Sequence, residues 1–240
     1  MLAKARSELA PGGKLRVGVN LGNFLLVQRN ADGSIRGIVP DLAQELARRL
    51  GVAVELRQYE KVGDVADGAK KGEWDVAFIG AEPQRAAEID FTAPYVEIEA
   101  CYLVPAGSPI QSIGEVDRKG VRIAVANRSA YHLWLERNLE HAQLVTGDGI
   151  EGSYQRFVKD RLEALAGLKP RLMEDAAKLP GSRILDGRFT AVQQAIGTPK
   201  GRPGGAAYLR KFAEDIKASG LVAQLIERHG IRGLSVAAPG

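Results

Sequence analysis

Short apolar runs alternate with amphipathic stretches along nearly the whole chain, and that rhythm predicts an α/β protein. Residues 15–19 read as a first strand. Pro40, suited to the first turn of a helix, and Asp41 open a helix in which Leu42, Leu46 and Leu50 recur at every fourth position, and Gly51 stops it. Residues 52–56 predict a second strand, 62–71 a weaker helix broken by Gly68, and 75–79 a third strand. A βαβαβ start of this kind requires right-handed crossovers and a mostly parallel sheet.

Pro105, Gly107 and Pro109 read as a linker into a second unit. Its predicted strands are 121–126, 143–145 and 162–166, and its helices are 129–140, 153–159 and 171–178, the last stopped by Pro180 and Gly181. An extended segment at 193–196 leads through a Gly/Pro-rich connector, 197–205, to two closing helices at 206–218 and 221–228. The expectation is two compact α/β lobes, residues 14–104 with 194–240 and residues 105–193, joined by extended segments. An interdomain cleft of that kind is a preferred place for a ligand.

Composition narrows the function classes. At 240 residues, with 45% hydrophobic and 26% charged content, the chain can bury a sizeable core. No apolar run approaches the roughly 18 residues that cross a bilayer. Residues 1–13 hold Lys4 and Arg6 but no apolar stretch of leader length, and end in Ala10-Pro11-Gly12-Gly13. The expected address is periplasmic if a leader was removed, and cytoplasmic as the sequence stands. The single cysteine, Cys101, allows no internal disulfide and reads as a buried small hydrophobe. A net charge of +4 modestly favours an anionic ligand. The basic residues are interspersed with 29 acids and no aromatic-interleaved basic stripe occurs, which argues against a nucleic-acid partner.

The most informative stretch is Gly80-Ala81-Glu82-Pro83-Gln84-Arg85, followed by Ile89-Asp90-Phe91-Thr92-Ala93-Pro94-Tyr95. It resembles the family-3 bacterial solute-binding proteins of ABC importers, in which a strand ends, a turn with Pro leads to an Arg, and a D-F-[ST]-x-P-Y segment follows. Gly72-Glu73-Trp74-Asp75 before the third strand, and residues 37–50, 113–125 and 220–229, agree with the same pattern, so the resemblance covers roughly 14–230. It implies a two-lobed, periplasmic-binding-protein-like type II fold, each lobe a mostly parallel sheet flanked by helices with a cleft between them. It also implies a monomer that clamps a small carboxylate-bearing ligand, needs no cofactor or metal, and presents the ligand to an ABC transporter permease.

Arg85 is the leading ligand residue, because a guanidinium offers a planar fork that holds a carboxylate bidentately. Its alternative is a surface arginine paired with Glu82 or Glu88. Where the family carries hydroxyl residues before that Arg, this chain has Phe78 and Gly80, so the grip must lean on backbone N–H groups; Phe78 either walls the cleft or is a buried strand residue. In the second lobe Asn127, Arg128, Ser129 and Ala130 align with the family's strand-to-helix turn. Ser129 reads as an N-cap at a helix start suited to an anion, and Arg128 replaces a Gly, adding a cation or pointing outward. Asn20, Asn23 and Phe24 follow the first strand where the family lines the cleft, with an Asn-rich turn and a core Phe as the alternative.

The resemblance also exposes a departure. Where amino-acid binders of the family place an acid for the α-ammonium, this chain carries Leu168 followed by Lys169, which favours an amine-free organic acid unless Glu82 or another acid substitutes. No phosphate loop or nucleophile elbow is present, and His132, His141 and His229 lack metal-ligand spacing; His132 and Glu136 read as a solvated helix pair. Two alternatives to a transport binding protein stay open. One is a cyclohexadienyl-dehydratase-like enzyme using Glu82 or Glu163 as an acid of raised pKa, and the other is a ligand sensor without a transporter.

Overall fold

The computed structural model describes residues 2–240. In chain order the elements are α1 (Leu2–Leu9), β1 (Lys14–Asn20), β2 (Gln28–Arg29), β3 (Ile35–Arg36), α2 (Ile38–Leu50), β4 (Ala53–Tyr59), α3 (Val62–Lys71), β5 (Val76–Gly80), β6 (Ile89–Phe91) and β7 (Val96–Val104). They continue with β8 (Arg122–Ala126), α4 (Ala130–Asn138), β9 (Gln143–Gly147), α5 (Gly149–Lys159), β10 (Ala164–Leu168), α6 (Lys169–Ala177) and β11 (Arg183–Ile184). The chain closes with β12 (Thr190–Pro199), α7 (Pro203–Ala218), α8 (Leu221–Arg228) and β13 (Leu234–Val236). Two compact units result: one runs to Glu97 and resumes at Gln193, and the other is Ile98–Val192.

The first unit carries strands in the order β4-β1-β5-β12. β1 lies parallel to β4 and β5, with Lys14 opposite Ala53 and Val17 opposite Val76. β12 runs antiparallel to β5, placing Gln194 opposite Gly80 and Ile196 opposite Phe78, and β6 adds an antiparallel partner to β12. The four-residue apolar recurrence of α2 does what its periodicity predicts: Ile38, Leu42, Leu46 and Leu50 are buried against Val17, Val19 and the Leu209, Phe212 and Ile216 face of α7. Gly51 ends α2 in the left-handed conformation, at φ 68°.

Two expectations change here for packing reasons. Gly68 does not break α3. It is the position where Trp74 crosses the helix: a Cβ there would lie 2.6 Å from the indole Nε1, which donates to the Val65 carbonyl at 2.8 Å. The Gly/Pro-rich stretch 197–205 is not a long connector either, since its first residues finish β12 and Pro203 already opens α7. Its glycines serve contact with α1, an element the sequence pattern did not reveal. A Cβ on Gly204 would come within 2.7 Å of Lys4, and one on Gly205 within 2.6 Å of Leu9. The Glu8 carboxylate accepts the Gly205 N–H at 2.7 Å, a negative charge at the positive end of α7.

In the second unit the order is β7-β10-β8-β9. β8 is parallel to β9 and β10, and β10 and β11 are antiparallel to β7. Cys101, Leu103, Ala124, Phe157, Leu162, Leu165 and Leu172 form its core. Cys101 is fully buried, and burial pushes its thiol up to about 11. β10 begins two residues later than the apolar run suggested. Leu162 instead closes α5 by donating to the Phe157 carbonyl, and the Glu163 side chain is drawn onto Arg122.

One buried carboxylate organises the first unit. Asp75 is 0% exposed. It accepts from Arg16 Nε at 2.8 Å and Nη2 at 2.9 Å, and from Arg202 Nη1 at 2.9 Å. Burial pushes its pKa up, but the hydrogen bonds and charges of the two arginines outweigh this and hold it below the ordinary value. Because the folded pKa lies below the unfolded one, this stabilisation is present above about pH 4, the unfolded aspartate range, and is lost as pH falls through the folded value. Asp75→Asn should therefore lower the unfolding free energy by about 3 kcal/mol at pH 7, because it leaves two cations without their counter-charge. In urea denaturation, the gap between wild type and variant should close as pH drops below about 4.

Candidate functional site

In the first unit the candidate residues gather at two turns. β5 ends at Gly80, and the Ala81 N–H is held by the Gln193 carbonyl at 2.8 Å. The Glu82 carbonyl then accepts from the Arg85 and Ala86 N–H groups, starting a short 3-10 helix over Arg85–Ala87. Arg85 is 6% exposed and its Nη1 donates to the Gly80 carbonyl at 2.7 Å. The arginine thus folds back over the end of its own strand rather than lying on the surface, and its fork is oriented by a backbone oxygen. Glu82 is half-buried beside it.

Phe78 belongs elsewhere. It is 2% exposed within the hydrophobic core and meets Tyr95 edge-on, with ring centroids 5.7 Å apart. The expectation that it walls a cleft is corrected: β5 side chains alternate between faces, and position 78 points into the packing under α2. After β1, the Asn20 Oδ1 accepts the Gly22 N–H at 3.0 Å, so Asn20 shapes its own turn. The Asn23 carbonyl receives the N–H groups of Leu26 and Val27, while its Oδ1 is buried with no hydrogen-bond partner. Phe24 is half-buried next to it.

The second unit brings its four candidates into one turn between β8 and α4. The Asn127 N–H is anchored on the Gly147 carbonyl at 3.0 Å, which fixes the exit from the sheet. Arg128 takes a left-handed backbone, φ 57°, a conformation that costs a residue with a Cβ on the order of 1 kcal/mol. The glycine that the resemblance leads one to expect here would adopt this conformation without that cost. Ser129 is extended and caps α4, its Oγ accepting the His132 N–H at 3.1 Å. With that donor taken, the Ala130 and Tyr131 N–H groups remain outside the helix's own ladder, at its positive end. The Tyr131 phenol is pushed up to about 12 by burial, partly offset by its hydrogen bond to Ser129.

The solvated His132–Glu136 pair expected from the sequence is also corrected: His132 is 5% exposed, with its ring turned under the turn. No periodicity signalled this, since a histidine at the third position of a helix is ordinary. Leu168 is 4% exposed and caps the start of α6. Glu99, one residue along β7 from its strand partner Ala100, is engaged by Lys169 at 3.0 Å and Arg188 at 3.8 Å. Glu163, weighed as an acid for elimination chemistry, is bound twice by the Arg122 guanidinium and once by its N–H. Those bonds hold its carboxyl below the ordinary range, opposite to what a general acid needs. Among the described residues no cluster of His, Cys, Asp and Glu could hold a metal ion, and no helix is long and apolar enough to cross a membrane.

Residues 15–231 match the family described as bacterial extracellular solute-binding proteins, family 3. The L-cystine-binding protein TcyJ of Escherichia coli strain K12 is 27% identical over 135 residues, covering 56% of this chain and 51% of that protein, so the matched region spans about half the length of this curated relative. The P235GK mutant of ArgBP from T. maritima superposes with a TM-score of 0.76 at 21% identity, covering 93% of this chain and 98% of the other. The ancestral amino acid-binding protein AncCDT-1, described as a precursor of cyclohexadienyl dehydratase, gives 0.75 at 24% identity, covering 92% and 97%. At these identities the two structures share the fold with this chain.

Ser129→Ala should cost about 1 kcal/mol of stability by leaving the His132 N–H without its cap. Ser129→Gly, which tolerates the cap geometry, should cost only about 0.3 kcal/mol. Paired denaturant titrations of the two variants measure the difference.

Proposed function

The chain belongs to the bacterial extracellular solute-binding proteins, family 3, and on that premise we propose that it captures a small carboxylic acid outside the cytoplasm and delivers it to an ABC transporter permease. The observation that carries the ligand class is the Ser129 turn, where the Ala130 and Tyr131 N–H groups stand at the positive end of α4. In the first unit Arg85, oriented on Gly80, offers a cationic fork of the kind that holds a carboxylate. Asn127 and Arg128 flank the Ser129 turn in the second unit, and Glu82, Asn20, Asn23 and Phe24 are further candidate contacts within the first. Charge-assisted bonds of roughly 1.5–3 kcal/mol each reach the about 8 kcal/mol of a micromolar complex with three or four contacts.

Within that class, amine-free acids rank ahead of α-amino acids. An apolar Leu168 offers nothing to an ammonium, and the Glu99 carboxylate beside it already serves two cations. The protein acts as a monomer and binds without a catalytic step.

A thermal-shift panel of amino acids, hydroxy and keto acids and aromatic carboxylates tests this. A true ligand at about 1,000 times its Kd adds roughly 4 kcal/mol of apparent stability. Amine-free acids should stabilise the wild type and lose that effect in Arg85→Ala. Preferential stabilisation by α-amino acids would overturn the amine-free assignment, and no response to any acid would overturn the carboxylate reading itself.

A further inference from the structure

His132 holds both sides of the turn that precedes its helix. Its Nδ1 accepts the Arg128 N–H at 3.0 Å, and its own N–H donates to the Ser129 Oγ at 3.1 Å. The residue whose N–H it receives is the left-handed Arg128, the strained member of the turn. A ring nitrogen can accept that bond only while it carries no proton; a proton on Nδ1 would set two donors against each other. The ring is nearly buried, so no water replaces a lost partner at little cost.

We propose that His132 is a proton-operated latch on the Arg128–Ser129 turn, closed when the imidazole is neutral and released when it is protonated. The consequence for binding rests on the assignment of that turn as a carboxylate site: release disorders the Ala130 and Tyr131 N–H groups and weakens the solute's grip on acidification.

The surroundings set the sense of the switch. Burial pushes the imidazole's pKa below its ordinary value, and the Glu136 carboxylate, 3.6 Å from Nε2, pulls it partly back. Of the charged side chains, Glu136, one turn further along α4, exerts the main pull on the ring. The imidazole is therefore neutral at pH 7. Since the unfolded chain takes up the proton first, the stability that depends on the neutral ring is complete above about pH 6.5 and declines below it.

Proton–nitrogen NMR of the ligand-free full chain between pH 8 and pH 4 tests the latch directly. The expected spectra show an imidazole protonated on Nε2 alone at high pH, and an Arg128 amide resonance that moves with the His132 midpoint. In Glu136→Gln both midpoints should shift down together. In His132→Asn, whose Oδ1 takes the place of Nδ1 and does not titrate, the Arg128 amide should keep its neutral-pH position and lose its acid transition. An Nδ1–H tautomer, or an Arg128 amide indifferent to His132, overturns the proposal. The acid that stabilises the wild type in the thermal-shift panel should lose at least half of its shift at pH 5 and keep it in His132→Asn. Equal losses in both proteins would sever the latch from binding. Coupling without any response to the panel would leave the latch standing and remove the solute reading it serves.

Discussion

The first unit depends on a carboxylate that has no contact with solvent. Asp75 precedes β5 and is gripped by Arg16 from β1 and Arg202 from the approach to α7, while Thr198 of β12 donates to its carbonyl. Three segments far apart in the chain are thereby pinned to one point, and the parallel register of β1 with β5 follows from it. Burying an anion without partners is prohibitive, so the arrangement is close to all-or-none: with the arginines in place the charge is favourable, and without them it is not. The five residues of β5 then run from this anchor to Gly80, where the strand ends and Arg85 turns back. The position of the candidate ligand arginine is thus inherited from an ion cluster at the opposite end of its strand.

The two units reach similar chemistry by different means. In the first, a cationic fork is held by a backbone carbonyl; in the second, backbone donors are exposed by a helix start whose one capped N–H belongs to His132. Both devices place donors on rigid element ends, and preorganisation of that kind limits the ordering cost of binding any solute. Each unit also lacks a feature that the resemblance leads one to expect. Hydroxyl side chains are missing on β5, and at the start of α6 a leucine stands where the resemblance leads one to expect an acid.

Much of this was legible from local pattern. The recurrence of Leu42, Leu46 and Leu50, the stop at Gly51, the cap at Ser129 and the run from Gly80 to Tyr95 are properties of neighbouring residues, and each folds as its spacing predicts. Gly68 and the 197–205 stretch misled for one shared reason. A glycine that looks like a breaker in one dimension can be the clearance that lets Trp74, Lys4 or Leu9 pass, and the passing residue lies many positions away. Phe78 carried the same ambiguity, since an apolar residue on a central strand faces either core or site and its sequence neighbours do not say which.

The sequence by itself determined the α/β alternation, the family and the donor-rich turns, because those follow from hydrophobic period, capping chemistry and short motifs that need no distant partner. Only the tertiary structure decided that α1 docks on the glycines of α7, that Asp75 joins three segments, that Phe78 belongs to the core and that His132 is buried under Arg128. Those are meetings between residues or faces whose approach is set by packing, and burial, not order along the chain, gives each of them its energy.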